Sequence, residues 1–164
     1  MTEAIKRSKI LAFYGVPQKS DSAVTYTFYR MKGFDSISTS KNPKEYSRQY
    51  VDEEFEQTDV VGYTPTGSFE FDRFAGDPVH DDIIAIFNGE KTGADATRPV
   101  IMVDMTGTTK SAIKRDFAIV AESEGEGTEM YTYSGSMRVK GDKVFGTATS
   151  SDDWQTCTFT ETSE

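Results

Sequence analysis

The stretch from Glu45 to Phe87, EYSRQYVDEEFEQTDVVGYTPTGSFEFDRFAGDPVHDDIIAIF, decides how the chain is read. Its last part carries a helix with both ends marked. Asp77 is an N-cap residue, Pro78 takes the first helical position, and Asp81 and Asp82 put negative charge where the helix dipole favours it. Val79, Ile83, Ile86 and Phe87 recur at helical spacing and Asn88-Gly89 offers a stop, so a helix is predicted over 78–88, its apolar stripe laid on a sheet. Before it, Ser68 to Phe74 alternates Phe69 and Phe71 with Glu70 and Asp72, the pattern of a half-buried strand. The first part obeys neither period. Asp52, Glu53, Glu54, Glu56 and Asp59 fall within eight positions, too much charge for a sheet core. Yet Tyr46, Tyr50, Phe55 and Tyr63 are too many large anchors for a solvated linker. Residues 42–62 therefore read as an arm or extended hairpin outside the core, and as a docking segment. Its candidate interface residues are Tyr46, Arg48, Tyr50, Asp52, Glu54, Phe55, Asp59 and Tyr63.

Outward from this stretch the chain reads as short strands. Ser8 to Val16 is a buried strand ending at Gly15 and Pro17. Val24 to Met31 alternates Val24, Tyr26 and Phe28 against Thr25, Thr27 and Tyr29, and Phe34 to Ser40 continues the sheet after a kink or bulge at Gly33. Further strands are expected at Arg98 to Met105, Ala112 to Glu122, Glu129 to Val139, Lys143 to Thr149 and Gln155 to Thr160, with Gly141-Asp142 fitting a two-residue hairpin turn. The expected fold is mainly β: an antiparallel β-sandwich or partly closed barrel with one flanking helix and a long arm, built as one domain over 1–164.

Composition agrees with that class. Among 164 residues there are 11 Phe and 8 Tyr but a single Leu, Leu11, a bias toward strands. Cys157 is the only cysteine, so no intrachain disulfide forms. The start, MTEAIKRSKILAFYGV, carries neither a signal-peptide pattern nor a spanning helix, and no membrane association is expected. The net charge of −9 is unevenly spread: residues 1–50 hold nine Lys/Arg against four Asp/Glu, and residues 51–164 nine against 23. One reading is a solvated acidic surface with a basic start; the other is complementary surfaces that meet when copies pack head to tail. Either way, a net acidic chain lacks a broad phosphate-neutralising face.

Catalytic signatures are missing. His80 has no second histidine or cysteine at ligand spacing and no G-x-S-x-G elbow accompanies it, so a surface or helix-terminus role is expected. The acidic run lacks the spacing and central glycine of a calcium loop. Gly125-Glu126-Gly127 has the wrong charge for a phosphate cradle. Tyr131, Tyr133 and Trp154 read as strand packing rather than as stacking platforms. No catalytic, cofactor or metal site is assigned, and no cofactor is expected.

The elements YVDE, TDVVGY, FEFDR and DPVHDDI, within the quarter of the chain between Glu45 and Phe87, resemble a segment of the tail tube proteins of bacterial viruses. The resemblance implies a structural subunit of the virion tail. Six copies would form a ring, their inner sheets joined into one barrel, and rings would stack into a tube conducting double-stranded DNA from capsid to host. It implies as partners a tape-measure protein, a tail terminator and tail-tip or baseplate proteins, and synthesis in the bacterial cytoplasm. Contractile-tail inner tubes, tail-like bacteriocins and type VI tubes share that fold, with the non-contractile tail favoured on overall resemblance. From another class, a monomeric small-ligand-binding β-barrel is the alternative, and an enzyme comes third.

Overall fold

The computed structural model describes residues 2–20 and 23–162. Eleven strands and one α-helix follow in the order β1 Ile10–Ser20, β2 Ala23–Arg30, β3 Phe34–Ser40, β4 Pro43–Arg48, β5 Gln57–Tyr63, β6 Thr66–Asp72, α1 Pro78–Gly89, β7 Thr97–Asp104, β8 Ser111–Glu124, β9 Thr132–Val139, β10 Val144–Thr149 and β11 Thr156–Glu161. Nine strands join one sheet in the order β10-β11-β2-β1-β7-β8-β9-β6-β3, and β10 also pairs with β8. Six strands thus close a ring of antiparallel pairings, β8-β10-β11-β2-β1-β7, while β9, β6 and β3 extend from it as a wing. The mainly-β, partly closed architecture with one flanking helix agrees with the alternation in the sequence.

Two apolar clusters lie on opposite faces of β1 and β7. Phe13, Ile101 and Val103 point into the ring with Ala112, Ala148 and Cys157, joined by Phe28, Trp154 and Phe159. Their neighbours Ala12, Tyr14 and Val100 point the other way, toward Phe69, Phe71, Tyr133, Met137 and the helix residues Val79, Ile83, Ile86 and Phe87. A strand buried on both faces must be apolar at successive positions, which is why Ile10 to Val16 reads as a continuous run.

The helix is held at both ends by hydrogen bonds. The Asp77 side chain accepts from the backbone N–H of Val79 at 2.9 Å and of His80 at 3.3 Å. At the other end Gly89 stays helical, and Glu90 adopts the left-handed conformation (φ 46°), its N–H reaching the carbonyls of Ile86 and Phe87. The stop therefore falls one residue beyond the expected Asn88-Gly89.

Several expectations are corrected. Gly141-Asp142 makes no hairpin: β9 pairs with the second half of β8 and β10 with its first half, both antiparallel, so the chain runs on along one flank of β8. Neither residue has the positive φ that a tight two-residue turn requires; among the described residues the consecutive left-handed pair is Asp153-Trp154, at 58° and 62°, between β10 and β11. The strand β3 stays in the same sheet after a register shift between Phe34 and Ser36, as expected, but its partner is β6 at the far end of the sheet and not β2. Phe74, read as part of a strand, lies beyond β6 and is exposed.

His80 is fully buried, which overturns a surface role. Its Nδ1 accepts from the Phe74 backbone N–H at 3.1 Å, which leaves Nε2–H to donate to the Lys32 carbonyl at 2.6 Å. The ring stacks on Phe71, with centroids 4.5 Å apart. Both nitrogens are used in tying the start of α1 to the turns after β2 and β6, a structural task.

Candidate assembly interface

The arm is a hairpin of its own. Among the described residues strands β4 and β5 pair only with each other, with a register shift between Lys44 and Glu45, in a two-stranded sheet separate from the main one. Its root is clamped by Asn42. That residue holds a left-handed φ of 46°, accepts from Ser40 Oγ at 2.9 Å, and donates from Nδ2 to the Thr64 carbonyl at 3.1 Å and to Thr66 Oγ1 at 3.0 Å. Asparagine tolerates this conformation because its short side chain bonds locally. The tip is tied by the Glu53 N–H to the Tyr50 carbonyl and by Gln49 and Gln57 donating to Glu53.

From residue 42 to residue 63 every side chain is exposed except the half-buried Arg48 and Glu53 and the glycine at 62. The structure brings four candidate residues together. Arg48 donates to Asp59 at 2.6 Å, and its guanidinium lies 5.7 Å from the centroid of the Tyr46 ring and 5.8 Å from that of Tyr50. The Asp59 hydrogen bond, then its charge, raises the pKa of Arg48. This cluster stiffens one face of the hairpin, so the tyrosines are presented in a set orientation. Asp52, Glu54 and Phe55 sit apart at the tip, and Tyr63 stands at the root opposite Pro43. Val51, Val60 and Val61 are also exposed on the arm and lie outside the candidate set. Val60-Val61 is an apolar pair inside a segment already excluded from the core.

A second open surface belongs to the main sheet. The pairing of β7 with β8 stops at Thr97 opposite Ala118, so Ile119 to Glu124 of β8 keeps one edge unpaired among the described residues. Along it runs an open groove of about 670 Å³, floored by Ile86, Phe87, Ala96 and Ile119 and rimmed by Glu90 and Lys140. At the opposite end of the same four strands, β8-β9-β6-β3, the outer edge of β3 is also unpaired. One face of these strands is covered by the helix. The other carries hydroxyls and carboxylates paired across strands: Ser38 with Ser68 at 2.9 Å, Ser123 with Ser134 at 2.6 Å, Ser136 with Glu122 at 3.2 Å and Thr132 with Asp72 at 3.0 Å.

The helix is fastened to the sheet by a buried polar triad. Tyr14 Oη donates to Asp82 Oδ2 at 2.5 Å, and Arg98 Nε donates to the same oxygen at 2.8 Å while its Nη1 donates to the Thr97 carbonyl at 2.9 Å. Burial first, then the Asp82 charge, holds the Tyr14 phenol well above its usual pKa. All three members have hydrogen-bond partners. Cys157, its thiol pushed up to about 12 by burial, is likewise a core residue.

No protein-family model matches the sequence, and no curated protein matches it. Its fold is similar to that of a chain in the six-fold-symmetrised cryo-EM structure of the anti-feeding prophage (AFP) baseplate, with a TM-score of 0.50 over 88% of this chain and 96% of that one. At 8% identity the likeness is one of fold. Among the described residues no helix is long and apolar enough to cross a membrane, and no group of His, Cys, Asp and Glu is placed to hold a metal.

Proposed function

We propose that this chain is a structural subunit of a viral tail tube, assembling into six-membered rings that stack into a hollow conduit for double-stranded DNA. The observation that carries the reading is the four-stranded sheet β8-β9-β6-β3, open at both ends. Its strands alternate in direction, and four is an even number, so β3 of one copy meets β8 of the next in antiparallel sense. Repetition of this heterologous contact closes a ring and leaves no edge unpaired. The uncovered face then turns inward. It bears hydroxyls with Glu70, Asp72 and Glu122 against Arg138, the one cation on the paired strands of this face among the described residues, a mildly acidic lining that repels DNA phosphates instead of holding them. The arm bridges copies or stacked rings. Tape-measure, terminator and tail-tip proteins are the partners that the resemblance to tail tube proteins implies.

The likeness to a baseplate chain favours a second reading, a ring at the tail end, including that of a tail-like bacteriocin or contractile particle. The ligand-binding barrel has less support, because Phe13, Ile101, Val103 and Phe28 fill the interior of the closed ring of strands. Negative-stain and cryo-electron microscopy of native particles and of purified protein test the proposal. Six-fold rings stacked into tubes are expected; isolated rings point to the tail-end reading, and another symmetry or a stable monomer refutes both.

A further inference from the structure

Among the described residues only Arg48–Asp59 and Arg98–Asp82 form ion pairs, although the chain holds 18 Lys/Arg and 27 Asp/Glu. Three of the cations outside these pairs, Lys41, Arg115 and Lys143, stand near the root of the arm. Ser40, Thr66, Arg138 and Ala118 stand level across β3, β6, β9 and β8, so Lys41, one residue past β3, lies beside the end of β9 and the turn that follows it. That turn is fixed against β8, with Arg115 Nε donating to the Gly141 carbonyl at 2.6 Å and the Lys140 N–H to the Asp116 carbonyl at 2.9 Å. Val144 pairs with Lys114, which places Lys143 beside Arg115. The neighbouring Lys41 first, then burial, then the charge of Arg115 lower the pKa of Lys143. Lys41, Lys140 and Lys143 are exposed, and the local carboxylates, Asp116 and Asp142, pair with none of them. Crowded like charges of this kind are relieved by an anion supplied from outside.

The other end of the arm carries that anion. Asp52, Glu53, Glu54 and Glu56 lie at the tip, beyond the last β4–β5 pair, Arg48 with Gln57. A hairpin with strands of six and seven residues spans roughly 20 Å at about 3.3 Å per residue, more than twice the Debye length of about 8 Å at physiological salt. Tip and root of one chain therefore do not meet. We propose that the cationic cluster of Lys41, Arg115 and Lys143 at the root of the arm receives the acidic arm tip, Asp52 to Glu56, of a second copy of this chain. This rests on the self-assembly reading above and names the surface on which the arm lands. A nucleic-acid phosphate is the weaker occupant, since the chain as a whole is acidic, at −9.

Charge reversal in two separate chains tests the contact. One variant carries Lys41→Glu and Lys143→Glu, so its root and tip are both negative; the other carries Asp52→Lys, Glu54→Lys and Glu56→Lys, so its tip, three lysines against Glu53, and its root are both positive. Every altered residue is exposed, and circular dichroism should find both folded. In sedimentation at moderate salt, each variant alone should associate about tenfold or more weakly than wild type, because like charges now face each other. An equimolar mixture should recover association to within about threefold, since strict alternation restores every tip-to-root pair. A mixture no better than its components overturns the proposal while leaving rings and tubes of the wild-type chain untouched. Loss of binding to a short DNA duplex by the first variant, with wild-type self-association, also overturns it and assigns the cluster to phosphate. Wild-type chains that fail to associate even at millimolar concentration overturn the self-assembly reading itself.

Discussion

Truncating Phe55 to alanine should cripple assembly without touching the folded monomer. The ring is 79% exposed at the arm tip, so its removal leaves no cavity and the free chain should change by no more than about 0.5 kcal/mol. At an interface the same ring matters. An aromatic side chain buries roughly 200 Å², and at about 25 cal/mol per Å² the still exposed part is worth up to ~4 kcal/mol if fully covered. Losses to ordering and imperfect packing reduce this to about 2 kcal/mol. That corresponds to a critical concentration raised roughly thirtyfold. Tyr50→Ala should act in the same direction, with an added loss because Arg48 rests against that ring. Glu53→Gln is the contrasting change: it removes one charge that forms no ion pair among the described residues, with an effect below about 1 kcal/mol, and keeps an oxygen for the Gln57 amide that Glu53 accepts at 3.0 Å. The assay is pelleted polymer at matched concentration and moderate salt, with circular dichroism on each monomer. Normal polymerisation of both alanine variants, combined with failure of Glu53→Gln, would refute the anchoring role and leave electrostatics in charge of the arm.

Hydrogen exchange should find the amides of β4 and β5 poorly protected in the free chain, since all but three of residues 42–63 are exposed, and protected after assembly; strong protection in an authenticated monomer places the segment in the core and ends the arm assignment. Arg98→Ala leaves the Asp82 carboxylate buried against Tyr14 alone and should cost about 3 kcal/mol in denaturant unfolding, whereas Arg98→Met paired with Asp82→Leu should cost clearly less; equal losses for the two would mean that the triad serves only as packing. Hydrogen bonds from Thr156 and Ser150 lower the pKa of Asp152 from 3.8 to about 2. A depressed folded pKa gives stability that is present above 3.8 and lost as pH falls toward about 2, so Asp152→Asn should flatten acid unfolding in that window; an unchanged acid limb would contradict it.

Local pattern carried much of this fold. Phe69 and Phe71 alternating with Glu70 and Asp72 marked β6 because a strand turns successive side chains to opposite faces, and Asp77-Pro78 marked the start of α1 because capping is satisfied within four residues. The arm was legible for the opposite reason: so many carboxylates beside so many aromatics satisfy neither core nor solvent. What lay beyond reach was every feature set by partners distant in the chain. Gly141-Asp142 has the composition of a hairpin turn, but β8 is long enough to pair with β9 and then β10 along one flank, and that length decided against reversal. His80 looked like a polar helix terminus. Its burial depended on Phe74 and Lys32 arriving to satisfy both ring nitrogens. The cationic root of the arm likewise joins Lys41, Arg115 and Lys143 from three segments, brought together only when the sheet forms. Sequence alone determined which residues alternate, cap or resist burial, because those preferences act over a few residues. Tertiary structure decided which edges stay open and which charges stand unpaired, because hydrogen-bond partners and neighbouring charges come from strands remote in the chain.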